Sequence, residues 1–266
     1  MITNYHTHTH FCDGANPPEE IVRRAIEQGF AAIGFSGHGT TPFDLSYCMT
    51  DTEAYIAEIN RLKHAYEHKI QIYLGIEEDA LAYVDRSRFD YLIGSSHYLR
   101  VGGQYLSIDS SPEHFGRCLD AFGGDVTRLA HAYFGAFCHY IATRKPDIVG
   151  HFDLITKYEE SQPSILLSDP AYRAVAEHYI GIAADMDCLF EVNTGAMARG
   201  IRKTPYPAEH LLTVLKKKNA RLILSSDSHH VDTLDFGFEE LRVYLRDLGF
   251  RHVYEFLDHR FIQTSL

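Results

Sequence analysis

The chain has 266 residues, 45% apolar and 23% charged, with 36 acidic against 25 basic side chains and a net charge of −11. That composition predicts an ordinary globular core, and its length suits one α/β barrel domain of roughly 250 residues spanning 1–266. The acidic balance argues against long DNA or RNA gripped through its phosphates, but not against a small phosphate ester, because bound cations reverse the local sign. Five scattered cysteines without a C-x-x-C fit free thiols. There is no basic-then-apolar leader and no apolar run of roughly 18 residues, so a soluble cytoplasmic protein is expected.

In chain order, residues 2–8 read as a brief strand ending in His6-Thr7-His8. Side chains at i and i+2 of an extended chain share a face, so both imidazoles can reach one ion. A turn through Asp13-Gly14 leads to a helix opened by Pro17-Pro18-Glu19-Glu20 and closed at Gly29. A second strand, 31–36, runs into Gly37-His38-Gly39. Asp51 and Thr52 cap a helix with an apolar face of Ile56, Ile59, Leu62 and Tyr66. The third strand, 70–76, ends in Glu77-Glu78-Asp79, and the fourth, 91–94, in Ser95-Ser96-His97.

The stretch 99–124 is irregular and is expected to be a loop with some helix over the site. A helix over 126–143, with aromatic residues of 133–140 at core spacing, precedes a fifth strand, 147–150, that stops at His151-Phe152-Asp153. A helix from Asp169-Pro170 to about 186 leads to the sixth strand, 188–192, followed by Asn193. Pro207 starts a helix carrying Leu211, Leu212 and Leu215, whose Lys216-Lys217-Lys218 end reads as a solvated face. The seventh strand, 221–226, delivers Asp227-Ser228-His229-His230. A last helix, 238–248, and a short tail follow.

Apolar strands alternating with helices argue for a parallel sheet, and seven such units make a closed or nearly closed barrel more economical than an open doubly wound sheet. Catalytic groups of such a barrel sit at the C-terminal strand ends. The candidate ligands His6, His8, Asp13, His38, Glu77, His97, His151, Asp227 and His229 follow such ends. One histidine after a strand is ordinarily a hydrogen-bonded or surface residue, and Asp-Gly is ordinarily a turn. Recurrence at six of the seven predicted strands points instead to a shared site. Imidazole mixed with carboxylate suits zinc, manganese or iron, and nine donors suit two or three ions bridged by Glu77.

H-T-H, S-G-H-G, G-I-E-E-D, S-S-H-Y, G-H-F-D, N-T-G and S-D-S-H, in this order over residues 2 to about 250, resemble the polymerase and histidinol phosphatase (PHP) family. The S-S-H-Y-L and G-H-F-D-L stretches are most similar to its histidinol-phosphate phosphatase branch. The resemblance implies a distorted seven-stranded (β/α)7 TIM-like barrel with a trinuclear centre. One ion would take His6, His8, Glu77 and Asp227; a second Glu77, His97 and His151; a third Asp13, His38 and His229. Many relatives carry histidine where this chain has Asp13, and His10 is a competing ligand that the turn is expected to carry away.

The chemistry expected is hydrolysis of a phosphate monoester, histidinol phosphate in histidine biosynthesis, by a metal-bound hydroxide held by Glu77, Asp227 and His8. The dianion calls for cationic donors, for which Arg199 is the first candidate, then His230, Arg117 and Lys157. The alternatives are another phosphoester (a nucleotide, an oligonucleotide end or a phosphotyrosyl protein) and a non-catalytic, metal-binding regulatory barrel.

Overall fold

The computed structural model describes residues 1–160 and 166–266. Strand β1 (Ile2–Asn4), helix α1 (Pro18–Glu27), β2 (Phe30–Phe35), α2 (Thr52–Ala65), β3 (Gln71–Asp79) and β4 (Tyr91–Ser95) come first. Next are β5 (Tyr98–Val101), β6 (Gln104–Ser107), α3 (Pro112–Ala121), α4 (Val126–Arg144), β7 (Ile148–Val149) and α5 (Pro170–Ala183). The chain continues through β8 (Leu189–Asn193), the short α6 (Gly195–Ala198), α7 (Glu209–Lys217), β9 (Arg221–Ser225), α8 (Phe238–Asp247), β10 (His252–Leu257) and β11 (Arg260–Ser265). Helix starts follow local chemistry. Asp51 and Asp169 accept from backbone N–H groups of the first turns of α2 and α5, and proline opens α1, α3 and α5.

The sheet runs β1-β2-β3-β4-β7-β8-β9-β10-β11, with neighbours parallel from β1 to β10 and only β11 antiparallel. It counts nine strands, not the seven expected, because the presumed tail folds into the β10–β11 hairpin. Its turn is Asp258-His259, both at positive φ (49° and 56°), the backbone of a type I′ turn without the glycine that usually signals one. One further parallel bridge, Thr7 to Ser228, ties the chain just past β1 to the chain just past β9, and the Tyr5 hydroxyl donates to Phe256 O of β10 at 2.7 Å.

Other boundaries also shift. The first strand stops at Asn4, so His6 and His8 lie beyond it. The stretch 99–124 is an ordered hairpin turning on Gly102 and Gly103 (φ 57° and 85°), followed by α3. Helix α7 begins at Glu209 rather than Pro207, and α5 ends at Ala183. On α2 the buried face is Tyr55, Ile59 and Leu62, with Ile56 half-buried and Tyr66 serving as the C-cap.

Alternation along the strands decides what reaches the site. In β3, Ile72, Leu74 and Ile76 pack outward in one cluster with Ile21, Val22, Ile59 and Leu62 of α1 and α2. Tyr73 points the other way, into a cluster with Tyr5, Tyr91, Ile93, Ile148, Leu189, Ile223 and Phe256. That inner layer is tight: a Cβ on Gly75 would sit 2.2 Å from the Tyr91 ring. Glu77 and Asp79 share the inward parity of Tyr73. Glu78 points outward, where Arg144 and Tyr140 of α4 hold it. The aromatic run on α4 (Tyr133, Phe134, Phe137, Tyr140) is buried as expected. No helix among the described residues is long and apolar enough to cross a membrane.

Candidate metal centre

All nine predicted donors converge at the C-terminal ends of the parallel strands, Glu77 within the last residues of β3 and the others beyond their strands. Glu77, 1% exposed, is the hub. Its Oε2 lies 2.8 Å from His38 Nδ1, 3.3 Å from His6 Nε2 and 3.6 Å from His8 Nε2. Its Oε1 lies 3.1 Å from His151 Nε2 and 3.5 Å from His97 Nε2. Asp227 Oδ1 sits 3.1 Å from His8 Nε2 and 3.7 Å from His6 Nε2. Asp13, the most exposed member, faces His229 Nε2 at 3.3 Å, His8 Nδ1 at 3.5 Å and His38 Nε2 at 3.7 Å. His10 is exposed and stacked on Phe11, outside the cluster.

Local backbone geometry makes this convergence. Thr7 and Ser228 pair, so the two same-face doublets His6/His8 and Asp227/His229 flank a single bridge; His8 N donates to Ser228 O at 2.8 Å, and Ser228 N to His6 O at 3.1 Å. Asp227 takes a positive φ of 45° to reach its place, a costly conformation for a non-glycine residue. Gly195 permits the approach, since a Cβ there would meet the Asp227 side chain at 2.8 Å.

The residues fit a divalent cation. Three ligand-type groups that could hold one are His8/Asp13/His38/His229, His6/His8/Glu77 and His38/Glu77/His97. His6 Nε2, His8 Nε2 and Glu77 Oε2 are buried among close polar neighbours, yet none of them makes a hydrogen bond of proper geometry, which is expensive unless something else satisfies their lone pairs. Electrostatics agrees. Burial disfavours the Glu77 and Asp227 carboxylates, yet the surrounding imidazoles overcome it and hold both pKa values well below normal. Burial likewise opposes charge on His6, but Glu191, Glu77 and Asp227 push its pKa well up; for His97, Glu77 and Asp79 prevail over burial and raise it to about 9. His38 and His229 move down, through burial and the neighbouring His8. The carboxylates stay ionised and demand positive charge, from protons or from metal ions.

The sequence profile of the PHP domain matches residues 4–195. The chain belongs to the PHP family. Over 94% of its length it is 28% identical to a probable histidinol-phosphatase of Schizosaccharomyces pombe, covering 87% of that protein. It is 26% identical to the histidinol-phosphatase of Bacillus subtilis, over 88% of this chain and 96% of that one. The fold is similar to the Lactococcus lactis histidinol phosphate phosphatase solved with zinc, L-histidinol and phosphate, with TM-score 0.73, 20% identity and 98% of both chains covered. It is also similar to a histidinol phosphatase structure from Listeria monocytogenes, with TM-score 0.76, 22% identity, 90% of this chain and 99% of that one.

In this PHP chain the donors open onto a cavity of about 290 Å³ lined by Asp13, His38, His97, His151, Asp227 and His229 on one part, and by Asp44, Tyr47, Tyr98, Asp109, Lys157 and Arg199 on another. Arg199, immediately after α6, places Nη1 3.0 Å from His229 Nδ1 and Nη2 3.4 Å from Asp227 Oδ2. Lys157 also lines the cavity, but its ammonium is already engaged by the Asp109 carboxylate at 2.9 Å and the Asp109 carbonyl at 2.8 Å. Two of the anticipated phosphate contacts are not brought there. His230 is half-exposed and turned to accept from Asp232 N at the start of a short 3-10 turn, and Arg117 lies on the exposed face of α3. His230 is the cap of the 3-10 turn Val231–Thr233, and that role holds its ring away from the cavity.

Sequence reasoning missed the groups that orient the donors. Glu191 Oε1 lies 2.5 Å from His6 Nδ1, while its Oε2 accepts from His151 N at 2.9 Å and Asn193 Nδ2 at 3.0 Å. Asp79 Oδ2 accepts from His97 N at 2.9 Å and sits 3.3 Å from His97 Nδ1. Both had a readable signal: Asp79 is two residues past Glu77, and Glu191 two before Asn193, each on the inward parity.

Proposed function

We propose that the protein is a metal-dependent histidinol-phosphate phosphatase, converting L-histidinol phosphate and water to L-histidinol and phosphate. The observation that carries this reading is the buried carboxylate Glu77 surrounded by five imidazole nitrogens, of which those of His38, His97 and His151 belong to residues lining the cavity. The near full-length similarity to proteins named histidinol-phosphatase supports the substrate, as does the L-histidinol and phosphate held by the Lactococcus lactis protein of the same fold.

The proposed allocation gives one ion to His6, His8, Glu77 and Asp227, a second to Glu77, His97 and His151, and a third to Asp13, His38 and His229, with zinc, manganese or iron as occupants. Such ions supply Lewis acidity that activates water and neutralises the ester's charge. Glu77 would be the carboxylate shared between the first two ions. Glu191 and Asp79 fix the ring orientation of His6 and His97, so that the far nitrogen of each faces the centre. Arg199 binds the phosphate oxygens that project into the cavity, and Lys157 contributes a weaker field because Asp109 already pairs with it. The whole chain acts as one PHP-type unit built on a distorted seven-stranded barrel to which the β10–β11 hairpin is added. The five unpaired cysteines support a cytoplasmic location.

The test is phosphate release from L-histidinol phosphate beside p-nitrophenyl phosphate, with metal content quantified on the same sample. Turnover of histidinol phosphate, lost on chelation and restored by Mn²⁺ or Zn²⁺, is the expected result. Activity on the generic ester alone sinks the substrate, and a fully metallated but inert protein sinks the enzyme reading.

A further inference from the structure

One charge lining the cavity has no role in holding metal or phosphate. Asp44 lies on the loop between β2 and α2 and is half-buried. Its Oδ1 accepts from Ser46 N at 3.0 Å and Ser46 Oγ at 2.6 Å, and its Oδ2 accepts from the Tyr98 hydroxyl at 2.6 Å. All three donors are neutral, and among the described residues no lysine, arginine or histidine stands within ion-pair distance of it, His114 being a cationic neighbour that acts only from beyond that distance. Asp109, the other cavity carboxylate outside the donor cluster and its supports, differs in being neutralised by Lys157. Two rings separate Asp44 from the donors: Tyr47 lies 4.8 Å from the His38 ring and 6.1 Å from the Tyr98 ring.

We propose that Asp44 is a specificity-determining residue whose uncompensated carboxylate receives the ammonium group of the substrate while the phosphate lies at the metal centre. The inference deepens the phosphatase reading and rests on it. L-Histidinol phosphate is a zwitterion: a phosphate dianion, a primary ammonium on the carbon next to the phosphoryloxymethyl group, and an imidazole one methylene farther on. A cavity with cationic groups at the donor cluster and a fixed carboxylate on the tyrosine-lined side is complementary to that charge pattern. The same carboxylate repels a second phosphate or carboxylate, which disfavours nucleotides and acidic peptides. Rigid placement by Tyr98 and Ser46 matters, since a contact already in position loses less entropy on binding.

Asp44 also closes an Asx turn onto Ser46, which asparagine can do equally well. Asp44→Asn therefore keeps the turn and removes the charge. The experiment compares kcat/KM for L-histidinol phosphate and its deamino analogue, 3-(imidazol-4-yl)propyl phosphate, in the wild-type, Asp44→Asn and Asp44→Ala metalloenzymes with metal content and Tm recorded. The wild type is expected to prefer the amine-bearing ester by about 10- to 100-fold, with the preference collapsing in both variants chiefly through KM. A preference kept in Asp44→Asn, or an equal loss on both esters, overturns the inference. If the wild type cleaves p-nitrophenyl phosphate but neither imidazole ester, the substrate reading fails by itself. Phosphoethanolamine against ethyl phosphate then decides on Asp44: a ratio that falls in Asp44→Asn upholds it, and a ratio held at the wild-type value overturns it.

Discussion

Glu191 is the residue whose substitution separates orientation from ligation. It holds His6 from behind and anchors His151 N through its two oxygens, so Glu191→Gln turns one acceptor into an NH2 donor and loses one of the two contacts. Metal affinity or activity is expected to fall about 10- to 100-fold, the usual effect of losing such a support. Titration with a competing chelator measures it, and wild-type affinity with wild-type activity would remove the supporting role. For Arg199→Ala, loss of a charge-assisted phosphate contact is expected to lower kcat/KM about 10- to 100-fold at unchanged metal content; an unaltered kcat/KM refutes the phosphate role. The donors were legible in the sequence because each follows a strand, where position implies direction. Glu191 was passed over because it sits inside an apolar strand and reads as part of the core run, although its two-residue spacing from Asn193 marks the inward face. Asp44 and Asp109 lie in stretches without periodicity, where no spacing rule aims a side chain.

At the scale of elements, β3 and α4 are joined by a buried ion pair that faces away from the chemistry. Glu78 is wholly buried and takes Arg144 Nε at 2.8 Å, Arg144 Nη2 at 2.6 Å and the Tyr140 hydroxyl at 2.8 Å. Arg144→Ala strands that carboxylate. The expected cost is about 3 kcal/mol, toward the low end for a broken buried pair because Tyr140 and Val84 N remain as donors. Tm should fall by roughly 6–12 °C. A thermal melt shifted by less than a degree or two would mean that the pair contributes little beyond its own desolvation. Strand and helix identities were legible from apolar period and caps. The two hairpins were not. For β10–β11 the turn residues Asp258-His259 give no glycine signal; for β5–β6 the Gly102-Gly103 pair was visible, but the flanking strands, only four residues each and buried in blocks at the ends away from the turn, carry too little alternation to be read.

For the molecule as a whole, ions held by the proposed donors from β1 to β9 would stabilise the native state alone. Each ion present at a thousand times its Kd adds about 4 kcal/mol, so chelation is expected to lower Tm by roughly 8–16 °C for each ion removed, recovered when metal is returned. Calorimetry with and without a chelator tests this, and a melt indifferent to verified metal loss would show that the centre is not coupled to the fold. The bridge between Thr7 and Ser228 carries a further consequence, one of timing. With the ribosome adding roughly 5–20 residues per second, His6 and His8 are made some 10–45 seconds before Asp227. Through that interval the nascent sheet lacks the neighbour that binds its first strand past Asn4, and the donor set lacks its second doublet. Both gaps close together when β9 arrives, so a chain halted before residue 221 holds neither a joined sheet nor a complete centre.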